Sequence, residues 1–128
     1  MNEELVKEWV NKAEEDYWAA HYLYEKSKER LATVICFHAQ QSAEKYLKAL
    51  LTKHDIEPPK THSLEALLDI LTSEIPEIEE HRELLTSLTP YSVEYRYPGI
   101  VATAEDAEQC VEMIQKLRKE FRELLLEK

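Results

Sequence analysis

The sequence predicts an all-α, up-and-down bundle of about five helices, and three observations carry that prediction. One glycine among 128 residues argues against a β-rich fold, because hairpins and bulges lean on glycine. Leu, Ala, Glu and Lys, all good helix formers, are abundant. Apolar residues recur at three/four spacing through several stretches, and the first two are joined by a link so short that they must be antiparallel neighbours. At this length one domain spanning 1–128 is expected, burying roughly 65–70% of its unfolded surface without metals or disulfides.

The first helix is expected over Asn2–Lys26, with Asn2 as N-cap and Glu3 and Glu4 at the positive end of the dipole. Its apolar stripe is Val6, Trp9, Val10, Ala13, Tyr17, Ala20 and Tyr24. After the link SKER, a second helix runs over Leu31–Lys53, with Ile35, Ala39, Ser42, Ala43, Tyr46, Leu47 and Leu50 toward the core. Pro58 and Pro59 bar helix in HDIEPPKTH and push Glu57 into an extended conformation. Thr61 or Ser63 can cap a third helix with the stripe Leu64, Leu67, Leu68 and Leu71. Pro76 suits the first turn of a fourth helix reaching Leu88, with Ile78, Leu84, Leu85 and Leu88 apolar. TPYSVEYRYPGIVA reads as an aromatic loop bracketed by Pro90 and Pro98-Gly99. Thr103 opens the last helix, with Asp106 at capping-box spacing and the stripe Ala107, Cys110, Val111, Ile114, Leu117, Phe121 and Leu125.

The net charge of −10 disfavours broad, sequence-independent nucleic-acid binding. The charge is uneven: Glu57–Ser87 carries −6, Leu31–Ile56 carries +1, and Leu88–Ala104 is neutral. A local anion site is compatible with that balance, and the acidic block itself reads first as a solvated helix face that keeps the protein soluble. No run approaches the roughly 18–20 apolar residues that span a bilayer, and MNEELVKEWV lacks a signal-peptide layout, so a cytoplasmic protein without membrane contact is expected. Cys36 and Cys110 fall on apolar faces as small buried thiols. The five histidines show no HxxxH or HExxH spacing, so no metal and no cofactor is expected.

The residues left after the core is assigned are the ones that could carry chemistry. In CFHAQQSAEKYLKALL, the side chains of His38, Gln41, Lys45 and Lys48 fall in one strip beside the apolar side of the second helix. An imidazole, a carboxamide and two ammonium groups in a row suit an anionic ligand, and they suit a solvated helix edge as well. In the late loop Arg96 sits between Tyr95 and Tyr97. A guanidinium grips phosphate in a fork and tyrosine rings stack on bases, although the same grouping also pins loops onto bundles.

The order FHAQQSAEKYLKALL, PPKTHSLEALLDIL, LTPYSVEYRYPG and a final helix starting TAEDAEQC resembles the HEPN domain family across nearly the whole chain. The resemblance implies a bundle of about five helices, usually a homodimer, from bacteria or archaea. Such proteins are commonly encoded beside a minimal nucleotidyltransferase and proposed to bind nucleotides or to act in toxin–antitoxin pairs. The positions matching the family are Gln41, Glu44, Lys45 and Lys48, then His62, then Tyr95, Arg96 and Tyr97.

One departure concerns catalysis. HEPN ribonucleases resemble one another in an Arg followed, about four to six residues later, by a His on the same helix, where base and cation serve phosphoryl chemistry. Here Arg82, Arg96, Arg118 and Arg122 have no histidine after them, and Arg30 is separated from His38 by seven residues. No catalytic residue is therefore assigned, and the only cross-segment pair on offer is His38 with Arg96. The expectation is a homodimer that binds a nucleotide or RNA phosphate through His38, Gln41, Lys45, Lys48, Tyr95, Arg96 and Tyr97 and partners a nucleotidyltransferase. The alternatives are a metal-independent RNA endonuclease toxin and a protein-interaction scaffold using the acidic Glu74–Glu83 face.

Overall fold

The computed structural model describes residues 2–127, with the side chain of Arg96 outside the description. Among the described residues five α-helices and three short 3-10 turns form an all-α bundle: α1 (Glu3–Ser27), α2 (Ala32–Lys53), α3 (Leu64–Leu71), α4 (Arg82–Leu88) and α5 (Ala104–Leu126). The most buried of these is α2, with fifteen of its 22 residues inside. Its apolar members were visible as a stripe, but Gln40, Glu44, Lys48 and Thr52 are buried as well. Ala13, Ala20, Ala39 and Ala43 have no exposed surface, and Ser42 donates to the Ala13 carbonyl at 2.9 Å, which keeps α1 and α2 close. Contacts between Thr33 and Ala102 at one end, and between Lys53 and the Leu124 carbonyl at the other, show that α5 runs in the same direction as α2. The middle segment carries the chain back between them.

Local chemistry accounts for the ends of these helices. Asn2 makes no capping bond; its amide instead donates to Asp55 Oδ1 at 2.5 Å, tying the start of α1 to the end of α2. Asp55 has φ of 61°, and the bonds from Asp55 N to the Thr52 carbonyl and from Ile56 N to the Leu51 carbonyl complete a Schellman closure of α2. Ser63, one of the two expected caps, closes the head of α3, its hydroxyl accepting from Ala66 N at 3.2 Å. The capping box at Thr103 and Asp106 forms with both bonds, at 3.1 and 2.8 Å. Thr103→Ala is expected to lower stability by about 1 kcal/mol in urea unfolding.

The segment after Pro76 departs from the expected helix. Pro76–His81 is 3-10 and the α-helix begins only at Arg82. Ile78 is the sole buried member of that turn, so one short turn is enough to seat its side chain. The aromatic loop also holds order: Thr89–Ser92 and Glu94–Arg96 are 3-10 turns, Tyr91 and Ser92 are buried, and Tyr95 packs on Tyr91 with ring centroids 4.4 Å apart.

The core is one continuous cluster centred on α2 and α5, with Tyr46, Leu47, Leu50, Ile114 and Phe121 fully buried. Cys36 and Cys110 are buried free thiols, and their mutual hydrogen bond together with burial pushes the Cys110 thiol above its ordinary range. Across α1 and α5, Arg118 grips Glu14 in a fork with both bonds at 2.7 Å and lies over the Tyr17 ring at 4.3 Å. The Tyr46 hydroxyl also donates to Glu14, and burial with that bond raises Tyr46 to about 12. Against burial, the Arg118 fork and the Tyr46 bond lower Glu14 from 4.5 to about 2. The Glu14 pairing therefore stabilises the fold fully above pH 4.5 and is lost as pH falls toward 2. Glu14→Gln is expected to flatten the acid arm of a thermal-midpoint profile over that window, without steepening it.

Candidate functional site

The strip expected on α2 divides between two neighbours. His38 and Lys45 both turn to Asp16 of α1: His38 Nδ1 lies 2.8 Å from Oδ1, and Lys45 Nζ lies 2.5 Å from Oδ2. Burial favours the neutral form of Asp16, but the bonds from His38 and Lys45 outweigh it and hold the carboxyl below its ordinary range. Lys48 is buried, donates to Glu44 Oε2 at 3.0 Å and lies over the Trp9 ring at 5.7 Å. Both lysines thus hold a carboxylate of this same chain.

Glu44 is the hub of the second network. Its other oxygen, Oε1, receives Gln40 Nε2 at 3.3 Å and Gln41 Nε2 at 3.4 Å, and His62 Nδ1 stands 3.0 Å away. Gln40 Nε2 also donates to the His62 carbonyl at 3.1 Å, so α2 holds both the backbone and the ring of His62. An ionised carboxylate only accepts, so the hydrogen on the His62 ring is at Nδ1, leaving Nε2 for a ligand. The His62 side chain is 61% exposed, while that of Glu44 is 4% exposed.

A cavity of about 380 Å³ opens beside this hub, between α2 and the turns that follow α4. It is lined by Phe37, Gln41, His62, Ser92, Val93 and Tyr97. A smaller cavity of about 250 Å³ shares His62, Ser92 and Val93 and extends toward Thr89 and Glu94. Among the expected site residues, Gln41 and Tyr97 line the larger cavity; His38, Lys45, Lys48 and Tyr95 do not. The Arg96 side chain lies outside the described residues, although its backbone belongs to the turn beside Tyr97. Phe37, His62, Ser92 and Val93 complete the wall, and one signal for Phe37 was present in the sequence: it is a large apolar residue off the core stripe of α2.

The wall combines aromatic surface with hydrogen-bonding edges, which is what a flat heterocycle carrying polar edges needs. Elsewhere, Glu80, His81 and Glu120 have ligand atoms within 4.8 Å of one another and are the one group of metal-competent side chains among the described residues. None of the three lines the cavity. In the acidic block, Arg82 Nη2 binds Asp69 Oδ1 at 2.5 Å and Glu79 Oε1 at 2.9 Å, on an exposed surface. No described helix is long and apolar enough to cross a membrane.

The fold has close counterparts among solved structures. The TT1696 protein of Thermus thermophilus superposes with a TM-score of 0.80 at 24% identity, covering 96% of this chain and 98% of that one. ST0689, described as an archaeal HEPN homologue, superposes with a TM-score of 0.69 at 26% identity, covering 94% of this chain and 97% of that one. No curated protein matches the sequence significantly. The HEPN domain profile matches residues 6–124. The chain belongs to the HEPN domain family.

Proposed function

We propose that this HEPN protein binds a nucleotide, free or within single-stranded RNA, in the cavity between α2 and the 89–97 turns. The observation that carries the reading is the lining itself: the Phe37 and Tyr97 rings share one cavity with the Gln41 carboxamide, the His62 imidazole and the Ser92 hydroxyl. Rings stack on a base of any identity, and carboxamide and hydroxyl groups meet its polar edge. Arg96, next to Tyr97 in the chain, is the expected phosphate partner. Lys45 and Lys48 contribute through Asp16 and Glu44, which they hold in place.

The same reading includes a homodimer. Val34, Val93, Tyr97, Ile100 and Val101 are exposed, and the bond from Ala102 N to Thr33 Oγ1 brings the last of these segments against the start of α2. A second copy covering this apolar surface would wall in the cavity. A cytoplasmic nucleotidyltransferase partner within a toxin–antitoxin pair fits the family membership. Calorimetry with AMP, GMP and a short RNA tests the ligand assignment: saturable heat at micromolar to millimolar ligand is expected, and no heat with any of the three contradicts it.

A further inference from the structure

We infer that His62, clamped from behind by buried Glu44, is a phosphate-binding group of the cavity in addition to Arg96 and acts as an imidazolium, so that a nucleotide phosphate enters together with a proton. The inference rests on the nucleotide-binding reading above and deepens it. His62 belongs to the cavity wall, and its Nδ1 is committed to Glu44 Oε1 at 3.0 Å. The two ring nitrogens point in divergent directions, so Nε2 faces away from Glu44, and among the described residues it has no hydrogen-bond partner. With Nε2 unprotonated its lone pair faces an arriving phosphate oxygen and repels it. Once protonated, Nε2–H donates a charge-assisted hydrogen bond to that oxygen while Glu44 balances the ring from the other side.

The two lysines of the neighbouring α2 strip are held by carboxylates of this chain and do not line the cavity. Lys45 holds Asp16, and Lys48 holds the second oxygen of Glu44. The charges around His62 come from each neighbouring element. Glu44 faces it from α2, with Lys48 behind, and Glu94 lines the adjoining cavity. Glu65 sits in the first turn of α3 and accepts from Thr89 at 2.6 Å. Lys60 precedes His62 by two residues, on exposed chain. Arg96 belongs to the turn beside Tyr97, with its side chain outside the described residues.

A phosphodiester is the cleanest probe, because a phosphomonoester titrates near pH 6 and would mask the protein's own proton. The experiment is calorimetry of the whole protein with adenosine, the dinucleoside phosphate ApA and AMP, at pH 6 and pH 8, in two buffers of different ionisation heat. Adenosine should bind alike at both pH values with no proton taken up. ApA should bind about tenfold more tightly at pH 6 and take up a proton at intermediate pH. In His62→Gln, ApA binding should lose both the pH dependence and the proton uptake. ApA binding that is independent of pH in the wild type, or unchanged proton uptake in His62→Gln, overturns the role of His62 while adenosine binding leaves the cavity assignment standing. Absence of binding by all three ligands removes both. The AMP arm separates the sources of phosphate: tighter AMP than ApA indicates a free mononucleotide, and the reverse indicates an RNA backbone.

Discussion

Replacing Glu44 with alanine is expected to remove about 3–5 kcal/mol of folding stability, read as a large drop in the urea midpoint. The reason is what the change strands. Lys48 is 9% exposed and its ammonium has Glu44 as its only ion-pair partner among the described residues. Without the carboxylate, a buried charge is left with the face of Trp9 and no counter-ion. Gln40, Gln41 and His62 lose an acceptor at the same time. The double change Glu44→Leu with Lys48→Met should recover most of the loss, because it removes both charges together and fills similar volume. A double variant as unstable as Glu44→Ala would show that Glu44 acts by something other than holding Lys48.

The second large effect concerns ligand affinity. Tyr97 is 63% exposed, so its ring contributes little to the core, yet it lines the cavity. Tyr97→Ala is expected to weaken nucleotide binding by about 1–3 kcal/mol, about 5- to 150-fold, while leaving the thermal midpoint within a few degrees of wild type. Tyr97→Phe should retain most of the affinity, since the ring and not the hydroxyl meets the base. Equal affinity for wild type and Tyr97→Ala would remove the stacking role of Tyr97. Tyr95 provides the contrast. It packs on Tyr91 inside the loop, so Tyr95→Ala should lower stability more than it lowers affinity.

What the sequence made legible follows from which interactions are local. The apolar stripes, the Ser63 cap and the Thr103–Asp106 box depend on residues a few positions apart, and each formed. Pro76 did open a helical turn, but whether that turn was α or 3-10 depended on how little of it is buried. The strip on α2 shows the boundary of such reasoning. Helical spacing placed His38, Gln41, Lys45 and Lys48 on one side, and it could not supply their partners. Asp16 lies 22 residues from His38 and 29 from Lys45 in the chain, and the antiparallel packing of α1 on α2 brings them together. Glu44 was visible as a position matching the family, but its burial was not, because an acidic residue on a helix is ordinarily solvated. Once those carboxylates are counted, the proposed site centres on the cavity edge, where Gln41, His62 and Tyr97 meet Phe37 and Ser92.

That placement is tested most directly by mapping where a nucleotide lands. In an NMR titration of the isotope-labelled protein with a short single-stranded RNA, the largest shifts should fall on Phe37, Gln41, His62, Ser92 and Tyr97, with the exposed face of α1 around Trp18 and Tyr22 unmoved. Shifts confined to that α1 face, or none at saturating ligand, would contradict the assignment of the cavity as the nucleotide site.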